Sequence, residues 1–186
     1  MRIFIGVKLN ETVHQKIETF LKPFKKAGTP IRWVKPENVH ITLKFIGEVP
    51  KDKYLQIEKQ LSNLDLAVDS MDIKLTGCGK FGKQDTLNIF WIGLEPNPLL
   101  NRLYDLIEES LNKIGIEKES RPFKPHITVG RNKRNYNFKG FYETIADKSD
   151  QPIAEFTVSH FQVFKSDLKP EGPIYTILKE IPLKHG

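Results

Sequence analysis

The chain has 186 residues, 39% of them hydrophobic and 28% charged, which is enough apolar material for one folded domain and excludes intrinsic disorder. Its 29 lysines and arginines against 23 acidic residues give a formal net charge of +6, which favours a polyanionic partner such as nucleic acid. The single cysteine, Cys78, excludes an intrachain disulfide and a cysteine-rich metal site, and it favours a reducing, cytoplasmic location.

The first quarter of the chain predicts a strand, a helix and a second strand. Residues 1–7 alternate as a short strand, without the long apolar segment of a signal peptide, and no later apolar run reaches membrane-spanning length. Asn10 is placed to cap a helix with a single apolar stripe, and Gly28 follows where such a helix ends. Alternation over residues 39–47 then predicts a strand whose odd-numbered residues, including Phe45, face the core.

The middle of the chain continues this mixture of helices and strands. The spacing of its apolar residues predicts a helix around residues 54–64, strands over 71–75 and 87–91, and a helix over 98–114. Asn97 is the expected cap of that last helix, Pro98 its first residue and Gly115 its end.

A glycine-rich segment at residues 77–83 superficially matches two phosphate-binding patterns. Both patterns need a helix directly after the glycines, because the helix N-terminus holds the phosphate. Here a strand-like run follows instead. We therefore predict a turn between strands and no phosphate loop.

The last third predicts a short helix and two strands. The helix covers residues 138–145, one strand covers 156–164, and a final strand covers 174–181 after a turn at 169–173. Helices and strands are mixed along the chain without strict alternation. This order favours an α+β fold with an antiparallel sheet.

The tripeptide His-Ile-Thr occurs twice, at residues 40–42 and 126–128, each time within an alternating apolar run. Side chains alternate across a strand, so each copy places its histidine and threonine on one face and its isoleucine on the other. A single copy would be interpreted as a structural histidine on a half-buried strand. Packing alone does not explain why both copies share the histidine and the threonine. The repeat therefore indicates a functional role for these residues.

The spacing around the two tripeptides indicates an internal duplication. Gly28 precedes His40 by 12 residues, and Gly115 precedes His126 by 11 residues. If the two halves are structural copies, equivalent strands pack against each other and bring both histidines to a shared cleft. We therefore expect a single domain over residues 1–186 that consists of two pseudo-repeat lobes.

Two imidazoles at one cleft can divide general-acid and general-base catalysis between them. The unperturbed pKa of histidine is about 6.5, so both protonation states are accessible near neutrality. Thr42 and Thr128 can donate hydrogen bonds to the non-bridging oxygens of a phosphate. These groups are suited to cleaving a phosphodiester without a metal.

Lys44 and Arg131 are candidates for the cation that such a phosphate needs. Lys44 lies on the same predicted strand face as His40, and Arg131 follows the second tripeptide closely. Each could equally be a solvated surface charge. Trp33, Phe81 and Phe123 could stack on a base or belong to the core.

Neither a metal nor a cofactor is predicted from the sequence. The histidines and Cys78 lack ligand spacing, and no carboxylate adjoins either tripeptide. We also expect no membrane association and no obligate protein partner.

The boxes His40-Ile41-Thr42-Leu43 and His126-Ile127-Thr128-Val129 resemble the two HxTx motifs of the 2H phosphoesterase superfamily. Within it, the chain is similar to the RNA 2',3'-cyclic phosphodiesterases, also called 2'-5' RNA ligase-like proteins. The similar stretches are residues 1–7, 40–47, 90–94, 121–131 and 166–175. The resemblance implies a bilobal α+β fold, in which two pseudo-symmetric antiparallel sheets with outer helices surround a central cleft.

The resemblance also implies an activity and the residues that perform it. Members open a 2',3'-cyclic phosphate at an RNA 3' end and leave a 2'-phosphate, without a metal. By this resemblance His40 is the proton donor, His126 the proton acceptor, and Thr42 and Thr128 phosphate ligands. RNA 3' ends or cyclic nucleotides are the expected substrates. Two alternatives stay open: 2'-5' RNA ligation by the same groups, and a module that binds RNA ends without catalysis.

Overall fold

The computed structural model describes residues 1–26, 31–64, 68–82, 89–132 and 139–184. Their strands are β1 (Arg2–Lys8), β2 (Ile31–Trp33), β3 (His40–Glu48), β4 (Met71–Phe81), β5 (Ile89–Leu94), β6 (His126–Asn132), β7 (Pro152–Val158), β8 (His160–Lys169) and β9 (Gly172–Pro182). Their α-helices are α1 (Glu11–Lys26), α2 (Lys51–Ser62), α3 (Pro98–Asn112) and α4 (Lys139–Asp147). A 3-10 turn at Pro36–Asn38 precedes β3. The predicted mixture of helices and antiparallel strands is confirmed.

The strands form one continuous antiparallel sheet in the order β7, β4, β5, β6, β3, β1, β8, β9, with β2 paired to β6. The two sheets expected from the sequence are thus two halves of this sheet, joined where β3 pairs with β6. The sheet curls until its two ends meet. Ser70, before β4, donates its backbone N–H to the carbonyl of Lys184, after β9, and Lys184 donates to the carbonyl of Val68.

Local sequence signals set the ends of the two longest helices. The side chain of Asn10 accepts a hydrogen bond from the backbone N–H of Val13, and that of Asn97 accepts one from Leu100, both at 2.9 Å. Gly115 adopts a φ of +80°, a conformation that glycine tolerates best, just after α3. These three predictions are confirmed, whereas Gly28 lies outside the described residues.

The helices cover one face of the curled sheet and bury its apolar residues. Phe90 of β5 contacts Phe24 of α1 and Phe141 of α4, with ring centroids 4.9 and 5.1 Å apart. Ile41 and Ile127, the central residues of the two tripeptides, are fully buried. None of the described helices is both long and apolar enough to cross a membrane.

One strand prediction and one turn prediction are wrong. The strand expected over residues 156–164 is in fact the end of β7 and the start of β8, which pair with β4 and β1 in opposite halves of the sheet. Apolar alternation continues across this break, so only their different partner strands distinguish β7 from β8. The turn expected at residues 77–83 is strand up to Phe81, because β5 pairs with it. Residues 83–88 and 133–138, including Leu87 and Phe138 of predicted elements, lie outside the described residues.

Candidate active site

The structure places the two His-Ile-Thr tripeptides on adjacent strands. β3 and β6 run antiparallel, with Ile41 directly opposite Ile127. An antiparallel pair in this register puts His40 beside Thr128 and Thr42 beside His126, all on the face away from the isoleucines. All four polar residues are half-buried. Residues 86 positions apart in the chain therefore share one surface.

Each of these strands contains a bulge immediately after its tripeptide. In β3, Thr42 pairs with Gly6 and Lys44 pairs with Ile5, so Leu43 is an extra residue. A single extra residue reverses which face the following side chains occupy. The bulge therefore turns Lys44 away from the His40 face and brings Phe45 onto it. Phe45 is 65% exposed, so the prediction that it faces the core is wrong.

The matching bulge in β6 determines where Arg131 points. Thr128 pairs with Trp91, and Gly130 pairs with Phe90, so Val129 is the extra residue. Arg131 follows this bulge and lies on the same face as His126, where it is exposed. The cation candidate of the second half thus lies on the tripeptide face.

Lys44 does not lie on the tripeptide face, which corrects the sequence prediction. Its side chain is 4% exposed, and its Nζ donates to Oε1 of Glu108 at 2.6 Å and to the carbonyl of Glu117 at 2.8 Å. The other oxygen of Glu108 accepts a hydrogen bond from the backbone N–H of Glu119 at 3.1 Å. This buried ion pair holds the segment that precedes His126 against β3.

Both histidines are held through the same ring nitrogen. Nδ1 of His40 donates to the carbonyl of Asn38, and Nδ1 of His126 donates to the carbonyl of Lys124, each at 2.7 Å. A carbonyl oxygen can only accept, so Nδ1 carries the proton in the neutral ring. Nε2 of each ring is therefore the atom that can take up or release a proton.

His40 lies in an aromatic environment. Its ring centroid is 4.7 Å from that of Phe4 and 5.3 Å from that of Tyr175, and its Nε2 accepts a hydrogen bond from Oγ1 of Thr42 at 3.0 Å. Burial, with a smaller contribution from the charges of Arg131 and His126, lowers its pKa to about 4 against the opposing effect of the Asn38 carbonyl. His40 is therefore neutral at pH 7 in the free protein.

His126 lies in a more open environment. The edge of the Phe81 ring contacts it, with centroids 4.9 Å apart. Burial also lowers the pKa of His126, the Lys124 carbonyl opposes this effect, and the charge of Arg131 adds to it. No described residue forms a hydrogen bond to the hydroxyl of Thr128. The Oγ1 of this threonine is thus available to a ligand.

Arg131 influences three titratable groups of this surface. Its positive charge lowers the pKa of His40, of His126 and of Tyr175. The sequence does not predict Tyr175 as a site residue, although this tyrosine lies in the last similar stretch. It is brought here only because the β8–β9 hairpin packs along β1.

The three candidate stacking aromatics lie in different places. Phe81 is at the site, whereas Phe123 stacks on Tyr104 of α3 with centroids 4.1 Å apart. Trp33 packs edge-on against Phe90 and carries Lys25 over its ring. Of the three, Phe81 alone contacts a tripeptide residue.

The assembled groups can bind a small anion and transfer protons beside it. Both imidazoles present an unprotonated Nε2, and that of His40 accepts from Thr42. The two threonines carry hydroxyls, and Arg131 offers a positive charge. Guanidinium and hydroxyl groups are common ligands for phosphate oxygens. In the described part of the chain, no group of three or more His, Cys, Asp or Glu side chains is placed to hold a metal ion.

The sequence and the fold both match known proteins. A sequence model of the 2'-5' RNA ligase superfamily matches residues 13–170. The RNA 2',3'-cyclic phosphodiesterase of Methanocaldococcus jannaschii is 37% identical over 180 residues, which cover 97% of this chain and 99% of that protein. The crystal structure of TT0787 of Thermus thermophilus has a TM-score of 0.77 at 27% identity and covers 100% of this chain and 99% of that one. Escherichia coli LigT complexed with 3'-AMP has the same fold, with a TM-score of 0.77 at 22% identity over 99% of this chain and 98% of that one.

Proposed function

The chain belongs to the 2'-5' RNA ligase superfamily, and from this premise we propose that it is an RNA 2',3'-cyclic phosphodiesterase. The observation that carries the proposal is the register of β3 and β6, which gives two imidazoles and two threonines a shared face of the sheet. Relatives of this chain over nearly its whole length bear the name of this activity. The proposed reaction opens the cyclic phosphate at an RNA 3' end and leaves a 2'-phosphomonoester.

In the proposed reaction each histidine transfers one proton. Nε2 of His126 takes a proton from water as the water oxygen forms a bond to phosphorus. The bond between phosphorus and the 3' oxygen breaks, and protonated Nε2 of His40 gives its proton to that oxygen. His126 ends protonated and His40 neutral, so a proton exchange with solvent restores both. Arg131, Thr42 and Thr128 hold the non-bridging oxygens.

The free protein must gain a proton at His40 before it can act as an acid. Its pKa of about 4 arises from burial and from the nearby positive charge of Arg131. A bound phosphodiester carries one negative charge, which favours protonation of an adjacent imidazole and offsets the charge of Arg131. Substrate binding is thus expected to raise the pKa of His40 toward neutrality.

We also propose that residues 1–186 form one domain of two pseudo-repeat lobes. The support is the shared spacing of the tripeptides, the bulges that follow both of them, and the symmetric register about Ile41 and Ile127.

The basic charge and the phosphodiester chemistry favour RNA 3' ends or cyclic nucleotides as substrates. The E. coli neighbour was crystallised with 3'-AMP, a mononucleotide. The free Cys78 is consistent with a cytoplasmic location.

The proposal is tested with the purified protein and a short RNA that ends in a 2',3'-cyclic phosphate. We expect conversion to the 2'-phosphomonoester, detected by phosphorus NMR, with an equal rate in EDTA. Loss of activity in EDTA would contradict the metal-independent mechanism.

The same assay separates the alternatives. A module that only binds RNA ends would leave the cyclic phosphate intact. Adding an acceptor RNA with a 5' hydroxyl would give a joined 2'-5' product if the chain is a ligase. Hydrolysis without joining supports the phosphodiesterase.

A further inference from the structure

The two halves of the site differ at one equivalent position. Residues 86 positions apart in the chain match as His40 with His126 and Thr42 with Thr128, and the same spacing matches Phe45 with Arg131. Both members of that last pair follow a bulge and lie on the site face. The His126 half therefore has a third group for an anion, whereas the His40 half has an aromatic ring at that position.

Tyr175 of β9 occupies the His40 side of the site. Its ring stands perpendicular to that of His40, at 89° with centroids 5.3 Å apart, and it contacts Phe4 edge-on at 4.9 Å. Tyr175 is half-buried, so part of its side chain is accessible. The ring contacts fix this tyrosine directly beside the proposed proton donor.

Asn38 ties the backbone of β9 to His40. Its carbonyl accepts the hydrogen bond from Nδ1 of His40, and its side-chain amide donates to the carbonyl of Pro173 at 2.8 Å. Pro173 lies two residues before Tyr175, and Asn38 is 7% exposed. A single buried residue thus sets the position of His40 and of the strand that carries Tyr175.

The hydroxyl of Tyr175 is available to a ligand. No described residue forms a hydrogen bond to it. Burial raises the pKa of Tyr175, against the lowering effects of Arg131 and Arg2, so the hydroxyl keeps its proton and can donate it. The positive charge of Arg131 acts on both Tyr175 and His40 and lowers the pKa of each.

We propose that Tyr175 is a further substrate-contact residue, whose hydroxyl donates a hydrogen bond to a non-bridging oxygen of the phosphate from the His40 side. It supplies the donor that Phe45 cannot provide, from a strand that lies outside both tripeptide strands. The inference rests on the proposed function for its substrate, but the binding of a phosphate group is testable on its own.

The test compares Tyr175→Phe with Tyr54→Phe, which removes the hydroxyl of a half-buried tyrosine on α2, a helix without a site residue. Two quantities are measured: kcat/KM on RNA with a 2',3'-cyclic phosphate end, and the affinity for inorganic phosphate from NMR of the histidine rings. Loss of a hydrogen bond to a charged group predicts that Tyr175→Phe lowers both by about 10- to 100-fold. The substitution keeps the aromatic ring and its contacts with His40 and Phe4, so an unchanged melting temperature is expected for Y175F.

Each possible result supports or contradicts a contact between Tyr175 and the phosphate. If Y175F keeps the wild-type kcat/KM and phosphate affinity, or if Y54F loses as much, Tyr175 does not contact the phosphate. If the wild-type protein fails to hydrolyse the RNA, the proposed function is wrong. The phosphate titration then tests by itself whether Tyr175 contacts the phosphate. A selective loss of phosphate affinity in Y175F supports the contact in either case.

Discussion

The His40 half and the His126 half of the site use the same local structure in different surroundings. Each histidine donates through Nδ1 to the carbonyl two residues before it, and each strand bulges after its threonine. His40, however, packs against Phe4 and Tyr175 and hydrogen bonds to Thr42. His126 contacts the edge of Phe81 and lies on the side of Arg131.

This difference teaches that an identical tripeptide can lie in two electrostatic environments when its neighbours differ. Burial and the nearby positive charge lower the pKa of His40 further from its ordinary value, to about 4, whereas His126 shifts in the same direction in a more open place. Environment, and not residue type, therefore sets how far each imidazole departs from its ordinary pKa.

The largest effect is expected from removing either histidine. His40→Ala and His126→Ala should each lower kcat by about 10²- to 10⁴-fold, because each removes one proton transfer. The pH profiles should distinguish the two halves: H126A loses the decline on the acidic side, and H40A loses the decline on the alkaline side. Steady-state kinetics from pH 4 to 9, with circular dichroism to verify folding, measure both. The reverse pattern would exchange the two roles.

The next effect concerns the ion pair beneath the His40 strand. Lys44→Met should lower the free energy of unfolding by about 3–5 kcal/mol, because it leaves Glu108 as an unpaired buried charge. The double variant K44M/E108L should lose less than the sum of its single variants. Urea denaturation measures this, with Lys25→Met as the control, since the pair of Lys25 with Glu18 is partly exposed. Equal losses in K44M and K25M would contradict the role of the buried pair.

The third effect is a pH dependence of stability that originates mainly in His40. Its folded-state pKa lies below its unfolded value, so the unfolded chain binds the proton more readily and stability falls as pH falls from 6.5 to 4. The shift corresponds to roughly 3 kcal/mol. Urea denaturation at pH 7, 5.5 and 4 should show this loss in the wild type and a flatter dependence in H40A than in H126A. An unaltered slope in H40A would assign the loss to other groups.

The smallest effect is expected from removing Arg131, the charged group that only the His126 half carries at this position. Arg131→Ala should lower kcat/KM by about 10- to 100-fold through the loss of a charged phosphate contact, whereas Arg102→Ala on the exposed surface of α3 should leave it unchanged. The salt dependence of KM should also weaken in R131A. Equal kinetics in R131A and R102A would place the phosphate away from Arg131.

Much of the site could be predicted from the sequence because its signals are local. Alternation put His40 beside Thr42 and His126 beside Thr128 on predicted strands, and the helix caps at Asn10 and Asn97 follow from side-chain chemistry within a few residues. The repeated tripeptide and its flanking residues also indicated the family, which the comparisons with known proteins then showed.

Only the tertiary structure decided which side chains meet. Whether a strand bulges depends on the partner it pairs with, and two bulges moved Lys44 into the core and brought Arg131 to the site face. The same dependence on distant partners divided residues 156–164 between two strands and brought Tyr175 beside His40. Alternation is a property of neighbouring residues in the chain, but pairing and burial are properties of residues far apart in it.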